Sequence, residues 1–157
     1  MDGQFEKLAY EAALRSLDKQ EAYVEELRAR AGVLLAASSL APSLLGHQVF
    51  QVQSRPGLVI AALLAFVISI GAGVFILLPK QSLVFVQVGV EIYEAFYGVS
   101  DDMPEVYRRL TYDLDRFWRS NDAKVKWLVR VFALAAVALI VEVLVLVALL
   151  WDNLLSA

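Results

Sequence analysis

The chain contains no cysteine, which excludes disulfide bonds, thiolate metal sites and catalysis by a thiol. It has a single histidine, His47, so a zinc site built from several histidines cannot form. No GxxxxGK(S/T) phosphate-binding loop occurs in the sequence. The net charge of −3 argues against binding to a nucleic-acid duplex, which favours a basic surface. We therefore predict a protein that is not an enzyme and needs neither a cofactor nor a metal ion.

Apolar residues make up 59% of the chain, against about 45–50% in an ordinary soluble domain. They are concentrated in three blocks, at residues 32–53, 57–79 and 127–151, and each block is long enough for the ~20 helical residues that cross a bilayer core. Trp127 and Trp151 bracket the third block, as tryptophans at the two membrane interfaces would. The N-terminus lacks the apolar core of a cleavable signal peptide, so the blocks should act as their own insertion signals. We predict an all-α integral membrane protein with three transmembrane helices.

Positively charged residues flank these blocks unevenly, and this asymmetry predicts the orientation. Lys and Arg precede the first and third blocks and follow the second, whereas the tail at 152–157 has none. The N-terminus and the segment 80–126 are therefore predicted to be cytoplasmic, with the C-terminal tail outside. Lys124, Lys126 and Arg130 should contact lipid headgroups at the inner surface.

Two helices are predicted on the cytoplasmic side. Residues 1–31 repeat apolar side chains at helical spacing and should form an amphipathic helix continuous with the first span. Its apolar stripe either packs on the same chain or forms a surface for a partner. The pattern Asp102-Met-Pro-Glu105 is a capping box that should begin a helix over 102–122, able to continue into the third span. Within 80–101, residues 90–98 predict a short interfacial helix, and a fourth span over 83–99 is the alternative.

The second block carries small residues at every fourth position. These are Ala61, Ala65, Ser69 and Gly73. Small side chains at this spacing let helix backbones approach closely inside a membrane. The stripe therefore predicts either an oligomer interface or packing of the second span against the other two spans of the same subunit.

Glu142 is the one carboxylate within the third block. A charge at the bilayer centre costs roughly 2.5–3.5 kcal/mol on insertion scales, so this side chain should face protein or water rather than lipid. His47 and Glu142 both lie about 21–23 Å from the inner face at 1.5 Å per residue, which predicts a hydrogen bond or ion pair between them. Three interpretations stay open: a static structural pair, a polar path that opens in another assembly state, or a protonated carboxyl bonded to a serine.

Two segments carry a family resemblance. In LDKQEAYVEELRARAGVLLAASSLAPSLLG, residues 17–46, a charged helix leads directly into a span rich in Leu, Ala and Ser. In LTYDLDRFWRSNDAKVKWLVRVFALAAVAL, residues 110–139, an Asn-bearing helix returns to the membrane. This layout resembles small bacterial transmembrane effectors of the SLATT and Pycsar type. The resemblance implies a protein of the bacterial inner membrane that acts in phage defence and damages the membrane when a nucleotide signal is sensed. It identifies no ligand residues, and because no separate sensor domain is recognisable in the sequence, we do not expect the chain to carry one.

Two functions follow as expectations. The first is an oligomerising effector that perturbs or permeabilises the inner membrane, with the lipid bilayer, further copies of the chain, and a nucleotide second messenger or soluble protein as partners. The alternative is a non-catalytic membrane scaffold or accessory subunit that docks a soluble partner through its cytoplasmic helices. The environment of Glu142 distinguishes them, because a leak pathway needs that carboxyl near water or a symmetry axis.

Overall fold

The computed structural model describes residues 3–50, 56–79, 83–85, 94 and 102–156, with side chains up to residue 43 in the first range and residue 152 in the last. The described residues form three α-helices: α1 (Gln4–Phe50), α2 (Pro56–Leu77) and α3 (Met103–Ser156). The predicted all-α class is confirmed. The predicted interfacial helix at 90–98 and the alternative fourth span lie outside the described residues, apart from a few positions.

α3 begins where the capping pattern predicts. Asp102 immediately precedes the helix, and its carbonyl accepts a hydrogen bond from the Val106 amide at 3.3 Å. Pro104 lies in the first turn, where its missing N–H costs nothing. The Glu105 carboxylate pairs with the Arg109 side chain at 2.9 Å and with that of Arg108 at 2.7 Å. From there the helix continues without a break, so the predicted helix 102–122 and the third apolar block belong to one 54-residue element.

The chain divides into two compact units, of which the first comprises Met1–Glu25 and Lys80–Lys126. Here the early parts of α1 and α3 pack side by side. The rings of Tyr10 and Tyr107 lie 5.6 Å apart, and the Gln20 amide donates to the Trp118 carbonyl at 3.4 Å. Because the contacts advance together along both helices, α1 and α3 run parallel. Leucines at the centre of the contact are almost fully buried: Leu17, Leu110 and Leu114.

The second unit comprises Glu26–Pro79 and Trp127–Ala157, which contain α2 and the remaining parts of α1 and α3. Ser69 on α2 is bonded to Ser38 on α1 and to Ala135 on α3. Further along α2, Gly73 faces the earlier Leu35 and Phe75 faces the earlier Trp127, so α2 runs antiparallel to both neighbours. Near one end of this unit, the rings of Phe75 and Trp127 meet edge to face at 4.8 Å. The unit is therefore a three-helix bundle with α2 as its antiparallel member.

The surface of this bundle is apolar, and its interior combines large apolar side chains with small and polar ones. Large side chains on α2 and α3 point outward: Leu63, Leu64, Val67, Leu134, Val137 and Leu144. Serine, alanine and glycine occupy the inside: Ala31, Ser38, Ser69, Gly73 and Ala135. Two helices, Pro56–Leu77 and the Met103–Asp152 part of α3, are long and apolar enough to cross a membrane. Only 28% of the most apolar window of each is buried, whereas the core helix of a soluble protein would be mostly buried. This distribution is the one expected of helices solvated by lipid.

A candidate functional site in the three-helix bundle

One face of α3 is buried at every seventh residue. Six positions form this series: Leu114, Asn121, Leu128, Ala135, Glu142 and Leu149, and each is at most 3% exposed. A seven-residue repeat keeps one stripe of a helix against its neighbours, as in a coiled coil. We call this stripe the α3 seam. Two of its six members, Asn121 and Glu142, are polar, so the seam places an amide and a carboxyl in the interior of the protein.

α1 presents a matching series at alternating steps of three and four residues. Its buried positions are Leu17, Gln20, Val24, Leu27, Ala31, Leu34 and Ser38. The predicted apolar stripe of 1–31 therefore packs within the chain. Leu14, an apolar residue of the same segment, is 38% exposed. Alternation of three and four defines the buried face more narrowly than helical spacing alone.

Ser69 joins the three helices of the bundle at one level. Its hydroxyl lies 2.8 Å from the Ser38 hydroxyl and donates to the Ala135 carbonyl at 3.2 Å. Both serines are fully buried. Since Ser69 donates to the carbonyl, the Ser38 hydroxyl is left to donate to Ser69, which satisfies both side chains. This layer of hydroxyls fixes the register of α1, α2 and α3.

Gly73 allows α1 to approach α2 one turn away from that layer. A Cβ at Gly73 would lie 2.7 Å from the Leu35 Cγ atom, which is closer than side-chain carbons pack. Of the predicted stripe, Ala65, Ser69 and Gly73 are buried inside the bundle, while Ala61 is half-buried and Ala62 takes the more central position. The geometry thus uses most of the stripe for packing within one subunit, one of the two alternatives drawn from the sequence.

Glu142 lies in the α3 seam two turns beyond Ala135, about 10 Å along the helix axis. The residue is 1% exposed, and neither carboxylate oxygen has a hydrogen-bond partner among the residues that the structure describes. The side chain therefore faces the interior of the helix bundle, whereas its position inside a membrane stays a prediction. Buried polar groups without partners are uncommon in proteins and call for an explanation.

The seam is closed beyond Glu142 by a purely apolar cluster. Its buried members are Ala62, Leu146 and Leu149, with Ala41, Leu58, Val59 and Val145 packed against them. Glu142 therefore lies between the serine layer on one side and this apolar cluster on the other. Along the helix axis, the side of Glu142 towards Trp127 contains the serine layer among apolar residues such as Leu128 and Ile76, and the side towards Trp151 contains the apolar cluster.

The other residues predicted from the sequence fall in different places. His47 belongs to α1, but its side chain lies outside the described residues, so the predicted pair with Glu142 stays a prediction. Lys126 forms an ion pair with Asp122 at 2.7 Å, and Arg130 is exposed. Lys124 is half-buried. Exposure of Lys126 and Arg130 is compatible with the predicted contact to lipid headgroups, which remains a prediction.

Asn121 is a buried polar residue whose role the sequence did not reveal. Its side-chain amide donates to the Val84 carbonyl at 2.7 Å, and its carbonyl oxygen accepts from the Val84 amide at 3.2 Å. The Asn121 side chain therefore satisfies both the N–H and the C=O of Val84, within the described segment 83–85. A signal was present, because Asn121 lies seven residues from both Leu114 and Leu128 in the repeat.

Comparison with known proteins finds no matching family model, no matching curated protein and no matching solved structure. The function of the site is therefore inferred from its residues and geometry.

Proposed function

We propose that the chain crosses the membrane three times, with α1 providing the first span at about residues 32–53. Support comes from the Ser38–Ser69 contact, which places this part of α1 beside a helix apolar enough to span a bilayer. The same part of α1 exposes Val33 and Leu40, as a lipid-facing surface would. The distribution of Lys and Arg supports a cytoplasmic position for the N-terminus and residues 80–126, and the resemblance to bacterial effectors implies a bacterial cell.

On this topology, the function we propose is that of a membrane effector that permeabilises the inner membrane when the three-helix bundle opens. The observation that carries the proposal is the burial of Glu142 in the α3 seam without a described partner. An ionisable residue inside a membrane is costly, and such residues usually mark a pathway for ions, protons or substrates. Opening the bundle would expose this carboxyl and the serine layer to water and create a continuous polar surface. The bundle described here corresponds to the closed state, because the apolar cluster seals one side of Glu142.

A signal or partner received by the first unit would control the opening. α1 and α3 each extend from the bundle into that unit, so a rearrangement of their cytoplasmic parts is covalently coupled to the spans. A nucleotide second messenger or a soluble protein is the type of partner that the bacterial resemblance implies. Association with further copies of the chain is part of the proposal, since one bundle of three helices encloses little space.

A second candidate, the non-catalytic scaffold, is favoured by a different observation. The first unit exposes large apolar side chains, with Phe5 77% and Tyr112 71% accessible. Such side chains mark a docking surface for another protein when they form a contiguous apolar patch, which this candidate function requires of the first unit. The small-residue stripe is also occupied within the chain, which suits a stable subunit that need not rearrange.

Release of an entrapped dye from liposomes tests these candidates against each other. The full chain would be reconstituted at increasing protein-to-lipid ratios, with and without cyclic nucleotides as candidate signals. An effector should release dye in proportion to protein density, and Glu142→Gln should change the rate of release. Asp113→Asn, an exposed site in the first unit, is the matched control and should behave like the unaltered chain. If the chain releases no dye in any of these conditions, the effector proposal fails and the scaffold is favoured.

A further inference from the structure

The carboxyl of Glu142 has no charged neighbour in the described part of the bundle. α2 contains no Asp, Glu, Lys, Arg or His, and neither does the part of α1 between residues 31 and 43. On α3 itself the nearest charged residues are Arg130 and Asp152, twelve and ten residues away, or about 18 Å and 15 Å along the axis. His47 is the one other titratable residue in the predicted membrane part of α1, and its side chain lies outside the described residues.

No hydrogen-bond donor that the structure describes solvates the two oxygens either. The nearest buried hydroxyls, Ser38 and Ser69, are about 10 Å away along the axis, and their bonds are already made with each other and with the Ala135 carbonyl. The exposed Ser43 hydroxyl donates to the Ser39 carbonyl of its own helix. An ionised carboxylate needs several donors or a cation when it leaves water, because the loss of hydration is otherwise uncompensated. A carboxylic acid has no net charge and needs far less compensation.

From this geometry we infer that Glu142 is a proton-binding site, and that the carboxyl carries its proton while the bundle is closed. The ligand is a proton, taken up as an O–H bond on one oxygen of the carboxyl and released as that bond breaks when water reaches it. The inference rests on the proposed membrane topology and specifies the chemistry of the same site. It does not require that the chain permeabilises membranes.

Infrared absorption of the full chain in lipid at neutral pH tests the inference directly. A protonated carboxylic acid and an ionised carboxylate absorb in separate regions of the spectrum, so the form lost on substitution identifies the state of the group. The difference between the unaltered chain and Glu142→Gln should show complete loss of one carboxylic-acid C=O band. Asp113→Asn is the matched control for an exposed acid outside the bundle, and it should show loss of carboxylate bands instead.

Loss of carboxylate bands in Glu142→Gln would overturn the inference and favour an ion pair with His47. The unaltered chain provides a second reading that does not depend on whether any variant folds: absence of a carboxylic-acid band at neutral pH also overturns it. Because this measurement detects the proton and not a leak, it can succeed where dye release fails. The two proposals are therefore separable.

Discussion

Gly73 offers a sharp test of how closely α1 and α2 pack. Substitution of Gly73 by Ala places a methyl group 2.7 Å from the Leu35 Cγ atom and 2.8 Å from its Cδ2 atom. The Leu35 branch point must shift to accept this group, and a shift of the whole side chain disturbs the helix contact. Gly71, two residues earlier on the same helix, has nothing within 4 Å of the corresponding position and serves as the matched control.

The expected difference between the two variants can be worked out term by term. Alanine is favoured over glycine within a helix by about 0.8–1.0 kcal/mol, and this term is common to Gly71→Ala and Gly73→Ala. Overpacking a well-filled interior costs about 1–3 kcal/mol, and this term applies to Gly73→Ala alone. We therefore expect Gly73→Ala to lower the free energy of unfolding by about 1–3 kcal/mol relative to Gly71→Ala.

Reversible unfolding in mixed micelles, followed by far-ultraviolet circular dichroism, measures this difference. Addition of Leu35→Ala to Gly73→Ala should recover part of the loss, because the clashing atoms are removed. The coupling between the two substitutions should be on the order of 0.5–3 kcal/mol, as for residues in direct contact. Equal stability of Gly73→Ala and Gly71→Ala, or no coupling to Leu35, would refute the close approach of α1 to α2 at this position.

Three further predictions follow from hydrogen bonds and charges. Ser69→Ala removes both inter-helix hydrogen bonds of its hydroxyl and should destabilise the bundle by about 1 kcal/mol in the same unfolding assay, at roughly 0.6 kcal/mol for each bond. Asn121→Leu leaves the Val84 backbone without its partner, so hydrogen exchange at the Val84 amide should accelerate and stability should fall by about 1–3 kcal/mol. The Arg109 side chain bonded to Glu105, with Arg108 beside it, holds the pKa of Glu105 below its ordinary value. Because the pKa of Glu105 is lower in the folded chain than in the unfolded chain, its ion pairs stabilise the fold at neutral pH. This stabilisation is lost as the pH falls through the folded pKa, which a carboxyl chemical-shift titration measures.

Each of these predictions has a matched control. Ser39→Ala removes an exposed hydroxyl that is bonded within its own helix turn, and it should leave the stability of the bundle nearly unchanged. Ser120→Ala, at an exposed position next to Asn121, should not alter exchange at Val84. Arg109→Gln should return the titration of Glu105 towards the ordinary range. Loss of stability in Ser39→Ala as large as in Ser69→Ala would contradict the assignment of the serine layer.

The sequence predicts the helices better than it predicts their contacts. Apolar blocks and the capping pattern before Met103 were enough to locate α2 and the start of α3, because both signals are local. The choice of Ala62 over Ala61 as the buried position was not accessible, since it depends on the rotation of α2 against its neighbours. Asn121 was missed for a different reason: the seven-residue repeat marks its position as buried, but its partner is the backbone at Val84, which leaves no mark in the pattern of side chains.

Of the two polar residues in the α3 seam, Asn121 has hydrogen-bond partners and Glu142 has none among the described residues. This difference leads to a last prediction about Glu142. Asn121 binds the Val84 backbone, and the serine layer at Ser69 fixes the register of the helices. The Glu142 carboxyl is therefore not needed for either of these structural roles. Replacing a buried polar group that lacks partners by an apolar one of similar size is usually neutral or stabilising. Glu142→Leu should therefore unfold with the same free energy as the unaltered chain or up to about 1–3 kcal/mol more. If Glu142→Leu is instead destabilised by more than about 2 kcal/mol, the carboxyl makes a structural bond, with His47 as the first candidate, and its retention needs no functional explanation. A stable Glu142→Leu chain would mean that folding does not require the acid, which leaves its role to be sought in the opened state of the bundle.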